Sequence, residues 1–258
     1  KIFYLFLIIL IILGIFLRIV SLNKDFSAEE PDFVKPATAI AQTGHSIYYN
    51  SELYPKMEGL LHPPMYIYFM ALIFMFNTSE ISARAINVVF SLLTSLFIFL
   101  FCMNLIKTKR GGVIGFVSAA FFLINYYVLS SSILIDIDMF SAFFVFGFVY
   151  FILRSFQTKK TIYFFFSALF LFLGLWNRYP MAVFSYIGIG IYCFFNKELK
   201  KDFSNYFLIG LFSGSLFLLT WGFYSVIVEP GNFFSFIIHN SKLGKEPFSS
   251  FGLYAGSF

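Results

Sequence analysis

The chain has 258 residues, of which 59% are hydrophobic and only 12% are charged, and its mean hydropathy is +0.83. A soluble domain of this length needs more charged residues to cover its surface, so this composition excludes a soluble globular protein. The net charge of +5 does not indicate a nucleic-acid partner, because the basic residues stand in short clusters between apolar runs, as topology signals of membrane proteins do. Both cysteines, Cys102 and Cys193, lie inside apolar runs and are predicted to be buried thiols.

Seven apolar runs are predicted to be membrane-spanning helices. In chain order they cover residues 2–20, 85–106, 111–127, 139–153, 162–176, 181–195 and 206–228. A span needs about 20 residues, and three of these runs have only about 15. We therefore expect their ends to extend into polar residues, or their connecting turns to lie below the lipid surface around a cavity. The cavity is predicted near Asp138 and residues 177–180. The first run lacks a small-residue cleavage site and is predicted to be an uncleaved span.

Residues 22–84 form the predicted first outer loop, which contains two shorter helices. Residues 31–43 are predicted to form an amphipathic helix that ends at Gly44. Residues 64–76 are apolar and begin with prolines, and they are too short to span, so a helix in the membrane interface is predicted. The expected fold is an all-α polytopic transmembrane bundle of about seven spans, forming a single domain over residues 1–258.

Basic clusters at every second loop predict the orientation. The clusters lie at residues 107–110, 159–160 and 197–201, and with Lys1 they mark the cytoplasmic side. That side then holds ten of the 18 Lys and Arg residues but only two of the 13 acids. We expect a multi-pass protein of the plasma (inner) membrane with a cytoplasmic N-terminus. The non-cytoplasmic side would carry the loops 22–84, 128–138 and 177–180, the segment after 228, and an extracytoplasmic active site.

Two acidic motifs lie in the predicted outer loops. Glu29 and Glu30 are adjacent, and crowding of like charges raises the pKa of one carboxyl and suits it to act as a general base; the alternative is a solvated acidic loop. Asp136 and Asp138 stand between apolar residues at a membrane edge, where carboxylates are costly and usually functional. In an extended segment both face one way and would help to bind a divalent cation. The alternative is that one of them pairs with Arg84 or Arg178.

Three arginines and a histidine complete the candidate site. Arg178 lies in a short turn between two short spans, where a guanidinium suits a phosphate; snorkelling at a helix end is an equal alternative. The same two interpretations, phosphate binding or snorkelling, apply to Arg18 and Arg84 at other span ends. His62 stands beside Pro63 and Pro64 in a rigid turn, where it either contacts a substrate or makes a structural hydrogen bond.

Acids, arginines and a predicted cavity on one membrane face predict an enzyme that acts on a lipid-linked anionic substrate. The arginines would hold a phosphate, and a carboxylate would activate an acceptor hydroxyl or amine. The alternative is a non-enzymatic transporter or flippase for lipid-linked substrates. That class predicts ionisable residues deep within spans and a repeat between halves, and neither feature is visible in the sequence.

Six short motifs in order resemble a known family. The motifs are Leu17-Arg18, Glu29-Glu30 before Ala37, Ala39, Ala41 and Gly44, His62-Pro63-Pro64-Met65-Tyr66, Ala83-Arg84, Asp138 before Phe143-Phe144, and Gly174-Leu175 before Arg178-Tyr179-Pro180. They resemble the polyprenyl-phosphate-sugar-dependent glycosyltransferases of the protein O-mannosyltransferase and lipid A aminoarabinose transferase type, in family 39 of the glycosyltransferases. These enzymes have the membrane-embedded C-type glycosyltransferase fold.

The resemblance implies an inverting transfer of a sugar from a polyprenyl or dolichyl monophosphate to a protein, lipid or glycan acceptor. It assigns the base to Glu29, a supporting role to Glu30, an acceptor-side role to Asp138 and the lipid phosphate to Arg178. The family pair is usually Asp-Glu, whereas this chain has Glu-Glu. No cofactor is certain, and Asp136 and Asp138 are the candidates for any divalent cation. The family continues beyond 258 residues, so we expect this chain to be the N-terminal part of a longer protein.

Overall fold

The computed structural model describes residues 2–19, 22, 30–44, 64–196, 199 and 202–227. Within these residues the secondary structure is helical and contains no β-strand. The helices are α1 (Ile2–Ile19), α2 (Pro31–Thr43), α3 (Met65–Phe74), α4 (Glu80–Leu105), α5 (Lys109–Ile124), α6 (Tyr126–Ile133), α7 (Ile137–Thr158), α8 (Thr161–Phe195) and α9 (Phe203–Ile227). The predicted all-α fold is confirmed for this part of the chain.

The described helices identify a multi-pass membrane protein. Four of them, α4, α7, α8 and α9, are long and apolar enough to cross a membrane, and the number is five if α5 and α6 form one bent span. Large apolar side chains on the outside of the bundle are exposed, for example Phe16 at 64% and Leu219 at 71%. Such surfaces are unfavourable in water but match the hydrocarbon core of a bilayer.

Within the described residues, all seven predicted apolar runs fall on helices, yet only four or five helices pass as spans. The described apolar part of α1, Leu5–Ile19, is too short to pass. Helix α8 is counted once, although it contains the two runs 162–176 and 181–195. The predicted and observed numbers of spans therefore differ because the described part of α1 is short and because α8 is counted once. The positions of the helices agree with the predicted runs.

Helix α8 folds back on itself at Arg178. The backbone of Arg178 leaves the helical region, with φ −148° and ψ 84°, and Pro180 lacks the N–H that a continuous helix needs. A Cβ atom placed on Gly174 would lie 3.3 Å from the Cβ of Ala182, whereas a continuous helix separates such positions by about 12 Å. The two halves of α8 thus lie side by side, as the predicted turn at residues 177–180 requires.

The two short helices of the first outer loop also form. Helix α2 begins at Pro31 and ends at Gly44, which has a positive φ of 76° and whose N–H donates to the carbonyl oxygen of Ile40 at 2.9 Å. Its bounds are those predicted. Helix α3 begins after Pro64, and Tyr66 and Met70 on it are fully buried. Helix α3 is therefore packed into the protein along one side.

The outer loop predicted at residues 128–138 is largely helical, which the sequence did not indicate. It contains most of α6, which is bent by 58° from α5. The side-chain oxygen of Asn125 at the bend accepts hydrogen bonds from the N–H groups of Tyr127 (3.0 Å) and Val128 (3.4 Å), which caps α6. Only residues 134–136 remain as a connector between α6 and α7, here called the α6–α7 connector.

An aromatic core supports the end of the bundle where α3, α4 and α7 begin. The ring of Phe140 on α7 lies 4.5 Å from that of Phe90 on α4 and 5.4 Å from that of Tyr66 on α3, measured between centroids. These rings hold the first turns of α3 and α7 close to the third turn of α4. We call this end of the bundle the predicted outer end. The two cysteines are free thiols within α4 and α8.

Candidate active site

Glu30 and Arg84 form a buried, two-pronged ion pair at the predicted outer end. The Nε and Nη2 atoms of Arg84 donate to Oε1 and Oε2 of Glu30 at 3.1 and 2.9 Å, and the residues are 1% and 2% exposed. Arg84 Nη1 also donates to the carbonyl oxygen of Leu22 at 2.8 Å, and Glu30 Oε1 accepts from the N–H of Ile135 at 2.8 Å. The pair joins the first outer loop, α4 and the α6–α7 connector, so the structure gives both side chains a structural task.

Asn87, which the sequence did not single out, holds the same connector from α4. Its Nδ2 donates to the carbonyl oxygens of Leu134 and Asp136, both at 2.6 Å, and the residue is fully buried. The available signal was its position one turn after Arg84, on a face that continues with buried Ser91. A polar stripe in an apolar helix marks an interior function.

Asp136 caps the start of α7 and lies in a buried setting. Its backbone is extended and its Oδ1 accepts from the N–H of Ile137 at 2.5 Å. Burial raises the pKa of the Asp136 carboxyl, while that N–H and the charge of Arg178 act in the opposite direction. The hydroxyl of Tyr66 is nearby and fully buried, and its pKa is raised well above the usual value by burial and then by the charge of Asp136.

Asp138 forms an ion pair with Arg178 across the start of α7 and the turn of α8. The alternative that one carboxylate of the pair binds an arginine is thus confirmed for Asp138. Asp136 caps its own helix while Asp138 reaches to α8, so the two carboxylates have different partners. Among the described residues no three His, Cys, Asp or Glu side chains form a group able to hold a metal ion.

Asn177 fixes the turn of α8 to α7. Its Nδ2 donates to Ser141 Oγ at 2.5 Å and to the carbonyl oxygen of Ile137 at 3.3 Å. Ser141 Oγ donates in turn to the same carbonyl oxygen at 2.7 Å. Since Asn177 directly precedes Arg178, these bonds place the Arg178 guanidinium opposite Asp138.

Arg18 is fully buried between helices. Its three nitrogen atoms donate to Ser132 Oγ (2.7 Å) and to the carbonyl oxygens of Gly14 (2.9 Å) and Leu123 (3.2 Å). These bonds tie α1 to α5 and α6. A lipid phosphate would have to displace them, so the geometry fits a structural role for Arg18 better than the predicted contact with substrate.

Two predicted site residues, Glu29 and His62, lie outside the described residues. Their predicted roles as base and as substrate contact stay predictions.

An apolar cleft of about 440 Å³ opens between α3, α8 and α9 beside the turn of α8. It is lined mostly by aromatic and apolar side chains: Pro64, Met65, Tyr68, Phe172, Leu173, Trp176 and Tyr224. The indole N–H of Trp176 donates to Thr220 Oγ1 at 2.7 Å, which fixes the ring. Trp176 is two residues before Arg178, so the cleft lies next to the turn where the sequence predicts a cavity.

The fold and site together define a multi-pass membrane protein with a charged cluster at one end of its helical bundle. Residues 61–221 match the family model of dolichyl-phosphate-mannose-protein mannosyltransferases. Because the match covers more than half of the chain, the chain belongs to this family, a family of membrane glycosyltransferases. The matched region includes Arg84, Asn87, Asp136, Asp138 and Arg178, but begins after Glu29 and Glu30. A comparison with curated proteins gave no match.

Proposed function

We propose that the chain transfers a sugar from a polyprenyl (dolichyl or undecaprenyl) monophosphate to a protein, lipid or glycan acceptor where Asp138 and Arg178 meet. The observation that carries the proposal is this partly exposed ion pair beside an apolar cleft, in a chain of the mannosyltransferase family. Such a donor has an anionic head on a long apolar tail. A guanidinium next to an apolar aromatic surface is chemically matched to both parts.

Arg178 is the proposed ligand of the donor phosphate. It contacts Asp138 through Nη1, and a guanidinium has five N–H donors in a fixed plane. One edge therefore suffices for Asp138 while another grips phosphate oxygens in two-pronged fashion. The cleft beside Trp176 would take the first apolar units of the lipid.

The proposed reaction is a single displacement at the anomeric carbon. A carboxylate takes the proton of the acceptor hydroxyl or amine, whose oxygen or nitrogen attacks that carbon as the bond to the phosphate oxygen breaks. The polyprenyl phosphate leaves with the bonding electron pair, and the configuration inverts. Glu29 and Asp138 are the candidate bases. Glu30 is assigned to support, because its carboxylate holds Arg84 and Ile135.

The proposed location of the site is the non-cytoplasmic face of the plasma membrane. Support comes from the basic clusters at residues 107–110 and 159–160. They lie at the opposite ends of α4, α7 and the first half of α8 from Arg84, Asp138 and Arg178. Membrane-impermeant labelling of single cysteines placed at Lys109 and at Arg178 in intact cells tests the orientation. Labelling at position 109 alone would show that the orientation is the opposite of the one proposed.

The activity is tested with purified full-length protein in lipid nanodiscs. Dolichyl-phosphate mannose and undecaprenyl-phosphate sugars are offered with cell-envelope acceptors, and released polyprenyl phosphate is measured with and without a chelator. We expect release by the parent protein, and losses of about 100-fold or more for Glu29→Gln, Asp138→Asn and Arg178→Ala. Arg110→Ala, at the other end of the bundle, is the control.

Release by none of the donors would refute the proposed function. Movement of a lipid-linked sugar across proteoliposomes without product would favour the transporter instead. If all three site variants kept full activity, the site assignment would be wrong while the enzyme class stood.

A further inference from the structure

Two buried carboxamides from different helices bind the short segment that carries Asp136 and Asp138. Asn87 on α4 donates to the carbonyl oxygens of Leu134 and Asp136, and Asn177 on α8 donates to that of Ile137. Both residues are fully buried. The α6–α7 connector and the first turn of α7 are therefore held from two sides through their own backbone.

Neither amide is fully satisfied by these bonds. The Oδ1 atoms of Asn87 and Asn177 are buried and have no hydrogen-bond partner within the described part of the chain. The Tyr66 hydroxyl lies beside Asn87, and the two side chains interact. A buried acceptor without a partner reduces stability, so stability alone does not account for amides at both positions.

The two amides bind neighbouring parts of one short segment. Asn87 binds the carbonyls of Leu134 and Asp136, Asn177 binds that of Ile137, and Asp138 follows directly. Asn177 also immediately precedes Arg178, where the α8 backbone leaves the helical region. Removing Asn87 frees the carbonyl two residues before Asp138, and removing Asn177 frees the residue before Asp138 and the residue before Arg178.

We propose that Asn87 and Asn177 are positioning residues for the transfer: Asn87 sets the direction of the carboxylates, and Asn177 sets the Arg178 guanidinium. The inference rests on the proposed function. Neither residue touches substrate in this scheme. Because a misplacement of about 1 Å at a reacting group costs up to roughly 100-fold in rate, losing either amide impairs turnover although the charged groups remain.

The two amides predict different kinetic changes. Asn177→Ala acts through the phosphate ligand, so KM for dolichyl-phosphate mannose rises about tenfold, and affinity for undecaprenyl monophosphate falls in parallel. Asn87→Ala acts through the carboxylates, so kcat falls about tenfold or more while affinity for undecaprenyl monophosphate is unchanged. Every kcat is expressed per folded protein, measured by thermal unfolding of the same preparation, because loss of folded protein alone lowers the apparent kcat and leaves KM and affinity unchanged.

Matched controls are available on the same helices. Ser91 lies on the buried face of α4, and its hydroxyl bonds only to the Val88 carbonyl among the contacts of the described residues. Ser185 on the second half of α8 bonds likewise to Ala182. We expect Ser91→Ala and Ser185→Ala to keep kcat, KM and affinity within about twofold of the parent, in line with the small net value of such hydrogen bonds.

An isosteric change gives a pH signature. In Asn177→Asp the ionised carboxylate has no donor for Ile137, whereas the protonated form regains one O–H, and burial favours the protonated form. The ratio of variant to parent activity should therefore rise as the pH falls. Asp136, Asp138 and Arg178 are present in both proteins, so the ratio reports the new carboxyl together with its coupling to these groups. A side chain that only fills space gives a flat ratio.

A double variant decides whether Asn177 acts through Arg178. If it does, Asn177→Ala has no further effect on affinity for undecaprenyl monophosphate once Arg178→Ala is present. Independent, multiplying effects of the two changes would overturn the inference, as would losses that only follow the folded fraction in thermal unfolding. A parent protein that neither binds undecaprenyl monophosphate nor releases it from a sugar donor would instead refute the proposed function.

Discussion

Arg178, at the point where α8 folds back, forms an ion pair with Asp138 in the first turn of α7, and 40% and 38% of the two side chains are exposed. Exposed pairs add little to stability, because water screens them and ordering them costs side-chain entropy. These two charges are therefore better placed to meet a ligand than to hold the bundle together.

The first prediction separates binding from stability at Arg178. Arg178→Ala should leave the free energy of unfolding within about 1 kcal/mol of the parent and should raise KM for a polyprenyl-phosphate sugar strongly. The KM of Arg178→Lys should lie between those of the parent and of Arg178→Ala, because an ammonium is a point charge without the planar fork of a guanidinium. Steady-state kinetics and thermal unfolding of the same preparations measure both quantities. Unchanged KM in Arg178→Ala would remove Arg178 from the donor site.

The buried pair of Glu30 and Arg84 should, unlike the pair of Asp138 and Arg178, contribute strongly to stability. Arg84→Ala leaves a carboxylate in a buried site and should destabilise the protein by about 3–5 kcal/mol. Glu30→Gln should destabilise it as well, and the double variant Glu30→Gln/Arg84→Gln should cost less than the two single changes added together. Thermal unfolding in one detergent gives all the values. Strictly additive losses would mean that the pair does not act as a unit.

Asp136 predicts a pH-dependent contribution to stability. Burial raises the pKa of its carboxyl above the value of 3.8, so the folded state binds this proton more tightly than the unfolded state. Its stabilising contribution is therefore fully present below pH 3.8 and is lost as the pH rises through the raised pKa. Asp136→Asn should be more stable than the parent at neutral pH, and the difference should shrink as the pH falls.

Thermal unfolding of the parent and of Asp136→Asn between neutral and acidic pH tests the direction of this pH dependence. Asparagine is also a good residue at a helix N-terminus, so the cap of α7 is kept in the variant. A difference that grows on acidification would show that the carboxylate, rather than the neutral acid, is the form favoured by folding.

The hairpin in α8 predicts sensitivity to side-chain size at Gly174. A Cβ there would meet the Cβ atoms of Ala182 at 3.3 Å and of Phe144 at 3.5 Å, so Gly174→Leu should destabilise the protein by about 1–3 kcal/mol through overpacking. Gly188, on the other half of α8, has nothing within 4 Å of the same position. Gly188→Leu is the matched control, and equal losses in both variants would contradict the close approach.

Much of the fold could be predicted from local sequence, because every described helix except α6 follows from a signal within its own run. The bounds of α2 followed from Pro31 and Gly44 alone. Helix α6 was missed because its sequence, Tyr126–Ile133, includes three serines and reads as polar loop. Its start depends on capping by Asn125, a local bond that composition does not reveal.

The candidate site was only partly predictable, for a related reason. Asp138 and Arg178 stood out because charges are rare in this chain, and their pairing was one of the alternatives considered. Asn87 did not stand out, since its partners are backbone carbonyls 47 and 49 residues away. Likewise, the neutral partners of Arg18 on α5 and α6 carry no sequence signal, so a substrate role was predicted where the structure shows contacts between helices.

The bonds of Glu30 have a consequence for biogenesis. Its partners Arg84 and Ile135 lie 54 and 105 residues further along the chain. At a synthesis rate of about 5–20 residues per second, roughly 5–20 s pass between the emergence of Glu30 and that of Ile135. The contacts of Glu30 therefore form only after α4 and then the α6–α7 connector have been synthesised. They are a late event in insertion, and a nascent chain arrested before the α6–α7 connector cannot complete them.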